Sequence, residues 1–111
     1  MTEVIFTKTK EGLITCIELH GHANSAPYGQ DLICNSITVA TQMLGIGICE
    51  VLKIEPEELI FKPEIPEVKI KLKAFHAVKA ADLTNTFFEY MSLFSNDYTN
   101  YLKMGVHNEK N

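Results

Sequence analysis

Apolar and polar positions alternate near the start of the chain. Leu13, Thr15, Ile17 and Leu19 fall on one side, and Ile14, Cys16, Glu18 and His20 on the other. That is the period of a half-buried strand. Val4 to Thr9 is rich in β-formers, and Lys10-Glu11-Gly12 between the two runs reads as a hairpin turn. From Asp31 the period changes. Apolar or small residues recur at Leu32/Ile33, Ile37, Ala40, Met43/Leu44, Gly47/Ile48 and Val51/Leu52, which predicts a helix to about Lys53. Gly45 and Gly47 each cost such a helix about 1 kcal/mol and point to close approach of another backbone. Val39 and Ile46 lie off the main stripe, so the helix is apolar over much of its circumference, as in deep burial or a subunit interface.

Pro56 ends that region. Two strands are predicted at Glu58–Lys62 and Val68–Lys73, joined by a turn through Pro63 and Pro66. A second helix is predicted from about Ala77 to Ser95, with Leu83, Phe87, Met91 and Phe94 on one face. Asn96-Asp97 breaks it, Tyr98–Val106 is a last short strand, and His107–Asn111 is a frayed tail. The order ββαββαβ predicts an α+β fold, a mainly antiparallel sheet with two helices packed on one face.

The 111 residues suit one domain, residues 1–111, and a hydrophobic content of 46% supports a packed core. A chain of this size buries somewhat over ~60% of its unfolded surface, so it gains from a partner subunit. The net charge is −4, and every basic residue is lysine. Without arginine, the preferred fork for phosphates and base edges, direct nucleic-acid binding is not expected. No apolar run approaches the ~20 residues of a membrane span, so no membrane partner is expected. Met1-Thr2-Glu3 does not open a signal peptide. Cys16, Cys34 and Cys49 form no close pair, which argues against a disulfide framework and for the cytoplasm.

Chemistry concentrates between Gly21 and Thr41. Residues 21–30 hold two glycines and a proline and read as a long loop, opened by His22. With Asp31 as N-cap, Cys34 falls near the third helical position, where free N–H groups and the helix dipole favour a thiolate. Thr38 follows Cys34 by one turn on the same face, and Thr41 lies one turn beyond. Asp31 has two readings, a helix cap or a third member that orients His22. Cys34 also has two, a nucleophile or a small buried hydrophobe. Cys16 and Cys49 read as packing residues, His20 as a surface strand residue, His76 as a loop residue and His107 as a tail residue. A metal site from His20, His22 and Cys34 lacks any CxxC or HxxxH spacing, and none is expected.

Gly21-His22-Ala23, followed by Gly29-Gln30-Asp31-Leu32-Ile33-Cys34, resembles the ribosomal-processing cysteine protease (Prp) family. The resemblance extends over nearly the whole chain, with residues 21–38 its specific part. It implies a cytoplasmic cysteine endopeptidase, a thiol protease and hydrolase, that removes the N-terminal extension of a large-subunit ribosomal protein and so supports ribosome assembly. It implies cleavage after an aromatic residue, a homodimer, and a mobile His-containing loop over the site. Carried over, Cys34 is the nucleophile and His22 the base, without a cofactor. Asp31, Thr38, Gly21 and Gly29 then bind or orient substrate, with Thr38 standing where the family usually has Ser. Asn35-Ser36 departs from the family's pair of very small residues. The competing reading is a non-catalytic homodimeric adaptor that binds a ribosomal client peptide.

Overall fold

The computed structural model describes residues 1–21 and 28–109, with residues 28–31 described by their backbone alone. The alternating N-terminal runs form β1 (Thr2–Lys8) and β2 (Ile14–His20), an antiparallel pair whose turn holds Gly12 at a φ of 86°. β3 (Glu58–Lys62) and β4 (Glu67–Lys71) form a second hairpin, and β5 (Leu102–Asn108) closes the sheet. The strand order is β3-β4-β2-β1-β5, antiparallel throughout except for β5, which runs parallel to β1.

Register explains the two faces. Phe61, Val68, Leu19, Val4 and Met104 form one row across all five strands, and Leu59, Ile70, Ile17, Phe6 and Val106 the next. The central members of both rows are buried. The helices pack on this face. On the opposite face the rows are Glu58, Lys71, Cys16, Thr7 and His107, then Ile60, Lys69, Glu18, Ile5 and Gly105. There Lys69 Nζ pairs with Glu58 at 2.8 Å, and that ammonium holds the Glu58 carboxyl below the usual range. Paired rows of this kind stabilise a sheet in which one face is dry and the other charged.

The first helix, α1, spans Tyr28–Ile46 and runs on into a wider turn at Gly47–Val51, where the Leu52 N–H donates to the Gly47 carbonyl at 2.9 Å. Lys53, at a φ of 56°, ends it. Ile37, Thr41, Leu44 and Ile48 face the sheet and are buried, whereas Leu32, Val39, Met43, Ile46 and Val51 are exposed. Leu32–Val51 is long and apolar enough, by length and composition, to cross a membrane. That corrects the expectation that no run approaches this length. Its apolarity serves two sides of one helix, of which only one is covered by the sheet.

The second helical region is two helices, α2 (Ala74–Lys79) and α3 (Ala81–Asp97). They bend at Ala80, which is fully buried beside Ala77; these small side chains let α2 turn in against the sheet. Phe87 and Phe88 of α3 meet the ring of Phe6, at 6.0 and 4.8 Å between centroids. His76 therefore lies in a helix rather than a loop. His107 and Asn108, expected in the tail, pair with Thr7 and Lys8, and the Glu109 N–H donates to the Lys8 carbonyl at 2.7 Å.

Candidate active site

The site is built at one end of the sheet. β2 ends at His20, and the chain leaves through Gly21 at a φ of 91°. A Cβ on Gly21 would lie 2.5 Å from the Met1 carbonyl oxygen, so both backbone angle and space demand glycine. His22, the next residue, lies outside the described residues. Because Leu19 pairs with Val68 and Lys62 with Glu67, Gly21 leaves the sheet at the end capped by the β3–β4 turn.

The first helix reaches the same end. The Thr38 hydroxyl lies 3.0 Å from the Cys34 carbonyl and 3.3 Å from the Pro63 carbonyl in the β3–β4 turn. Further along, Gly45 sits against the ring of Phe61 on β3. From Gly45 to Thr38 the helix thus runs along β3 toward the β3–β4 turn, and Ile33, beside Cys34, is still packed against the core. Cys34 is half-buried one turn beyond Thr38. The fold brings Cys34, Thr38 and the β3–β4 turn together, and puts Gly21 at the same end.

Five expectations change here. The helix starts at Tyr28, not after an Asp31 cap; Asp31 lies inside its first turns. Gly29 is likewise helical rather than in a loop. Counted from Tyr28, Cys34 is the seventh helical residue, not the third. Its N–H belongs to the intrahelical ladder, so Cys34 is not beside the free N–H groups expected there. Thr41 is fully buried and bonds back to the Ile37 carbonyl at 2.7 Å, so it faces the sheet instead of the Cys34 surface. Gly45 and Gly47 admit the side chains of Phe61 and Leu83, not another backbone.

The other two cysteines are held as thiols. Burial pushes the Cys16 thiol from the usual 9.0 up to about 11, with Glu18 adding to it. Burial, then Glu50, raises that of Cys49 as well. Both are poor nucleophiles near neutral pH. His20 is exposed and reaches Glu18 at 3.5 Å. Among the described residues, no group of three or more His, Cys, Asp or Glu is placed to hold a metal ion.

An open apolar groove of about 630 Å³ runs between α1 and α3. Leu32, Asn35 and Ser36, which bracket Cys34 in sequence, stand along it, with Phe87 and Tyr90 opposite. Sequence reading missed it. The signal was the conjunction of the exposed apolar positions on α1 with the Leu83–Phe87 stripe on α3.

The family model of the cysteine protease Prp matches residues 1–103. No curated protein is a significant sequence match. Among solved structures, SMU.848 from Streptococcus mutans superposes with a TM-score of 0.82 at 18% identity, covering 98% of this chain and 96% of that one. The essential ribosomal processing protease Prp from S. aureus, solved with a covalently linked product peptide, gives 0.79 at 16% identity. Solved with a substrate peptide, it gives 0.72 at 17%. In both cases 96% of this chain and 99% of the other are covered. At these identities the likeness establishes the shared fold.

Proposed function

The chain belongs to the Prp family of cysteine proteases, and from that premise we propose that it is a ribosomal processing endopeptidase in which Cys34 is the nucleophile and His22 the base. Its substrate is the N-terminal extension of a large-subunit ribosomal protein. The observation that carries the reading is a half-buried Cys34 at the end of the sheet where β2 hands the chain to His22. The S. aureus relatives, one solved with a substrate peptide and one with a covalently linked product peptide, support a peptide substrate and a covalent step.

In this mechanism His22 removes the Cys34 proton and the thiolate attacks the scissile carbonyl. His22 then protonates the leaving amine. Water, deprotonated by His22, releases the acyl group from sulfur. The pair does this without metal or cofactor. Gly21, Gly29, Asp31 and Thr38 orient substrate or the pair. The enzyme acts in the cytoplasm as a homodimer and meets its client as a peptide rather than through RNA.

The test is turnover of a peptide copying an apolar, aromatic-containing N-terminal extension. Parent protein cleaves it, and Cys34→Ala does not. Cleavage by Cys34→Ala at the parent rate sinks the assignment. A second reading, a non-catalytic adaptor that holds the same peptide, draws on the exposed apolar residues Leu32, Val39 and Met43. It predicts peptide binding with no product from either protein.

A further inference from the structure

The Thr38 hydroxyl has one hydrogen and two carbonyl neighbours. A threonine inside a helix commonly donates back to the carbonyl one turn earlier, so the 3.0 Å approach to Cys34 O alone carries little. The second acceptor differs. Pro63 lies 25 residues away in the chain, and its carbonyl is 3.3 Å from the same oxygen. Pro63 is buried although its neighbours Lys62 and Glu64 are exposed, so the turn is pressed inward at this residue. With its hydrogen shared between these carbonyls, the hydroxyl has none free for a substrate carbonyl.

We propose that Thr38 is a positioning residue: clasped between Cys34 and Pro63, it sets the turn of α1 that bears the nucleophile against the β3–β4 turn. The inference rests on the reading of Cys34 as the nucleophile. Its leverage comes from geometry. One helical turn, about 5.4 Å, separates the clasp from Cys34. Ile33, beside Cys34, packs on the core through apolar contact, which lacks the directionality of the clasp. A displacement of about 1 Å at a reacting atom can cost on the order of a hundredfold in rate. The methyl of Thr38 is dispensable on this account, and the hydroxyl is not.

The experiment compares Thr38→Val, which keeps the shape and loses the hydroxyl, with Thr38→Ser, which keeps the hydroxyl. Both are measured for kcat and KM on the extension peptide, and for melting temperature. Thr38→Val is expected to lower kcat about tenfold with KM unchanged within about twofold, and Thr38→Ser to stay within about twofold of parent. Equal losses from both, or none from Thr38→Val, overturn the proposal. So does a Thr38→Val loss carried by KM, which would put the hydroxyl on the substrate instead. Should Thr38→Val not fold, Thr38→Ala reads the same hydroxyl. Failure of both to fold assigns Thr38 to stability and overturns the proposal as well. Cys34→Ala in the same assay separates the two claims: if it retains turnover, the nucleophile reading fails, whatever the Thr38 variants show.

Discussion

Gly45 of α1 lies so close beneath Phe61 of β3 that a Cβ there would sit 2.6 Å from the ring's Cζ. The contact sets how near the helix lies to the sheet. It also makes opposing predictions for one substitution. Gly45→Ala gains about 1 kcal/mol of helix propensity and meets an overpacking cost of about 1–3 kcal/mol. The ring is anchored in a strand and cannot yield cheaply, so the net effect is a loss of about 1 kcal/mol. Thermal unfolding of Gly45→Ala should show a melting temperature lower by about 4–8 °C. An unchanged or raised value would mean the ring moves freely.

Cys16 makes stability depend on pH at the alkaline end. Its thiol is raised from 9.0 to about 11, chiefly by burial. The unfolded chain therefore releases this proton first, and between those values it holds fewer protons than the native protein. Stability from this group is complete below about pH 9 and falls as pH rises through 11. Urea midpoints at pH 8 and pH 10.5 should fall further in the parent than in Cys16→Ala. Equal falls would show that Cys16 is not the source. At pH 8 only about one Cys16 in a thousand is thiolate, so mass spectrometry after brief alkylation should find Cys16 unmodified.

Asp31→Ala separates the two roles that the sequence allowed. A capping aspartate is worth about 1 kcal/mol, and its loss would show in the melting temperature. Here the helix has already begun at Tyr28, so Asp31 does not cap it. The melting temperature should change by less than about 4 °C, the shift that corresponds to less than 1 kcal/mol in a domain of this size. A larger fall would restore the cap. A drop in turnover at unchanged melting temperature would put Asp31 in the site.

The elements that could be read from sequence were those whose signal is local. β4 alternates because one of its faces is covered, and the buried positions at Ile17, Leu19, Val68 and Ile70 match the expected ones, although β2 is buried on both faces from Ile14 to Ile17. Gly29 resembles a loop residue, which hides the start of the helix at Tyr28. The end of β5 carries no local signal. His107 and Asn108 are ordered by parallel pairing with Thr7 and Lys8, a hundred residues away in the chain. For the candidate site, Cys34 and Thr38 are singled out by the family pattern rather than by helical spacing alone. Pro63 could not, since only the fold brings the β3–β4 turn to the helix. His22 lies outside the described residues, so its partnership with Cys34 rests on the family pattern and on the proposed test.

The outer side of α1 yields the last prediction. Val39, Met43 and Ile46 are each more than half exposed, and they follow one another at helical spacing. Contiguous apolar surface of this kind marks an interaction face. If the proposed homodimer uses it, a carboxylate at its centre must be desolvated without a partner, which costs several kcal/mol and outweighs the few contacts it leaves intact. Met43→Glu should then convert a particle of twice 12.5 kDa into one of 12.5 kDa in sedimentation equilibrium, with the circular dichroism of the parent retained. A dimer that survives Met43→Glu and also Val39→Glu would move the interface elsewhere on the molecule. A parent that sediments as a monomer would leave the groove between α1 and α3 open to the peptide substrate instead.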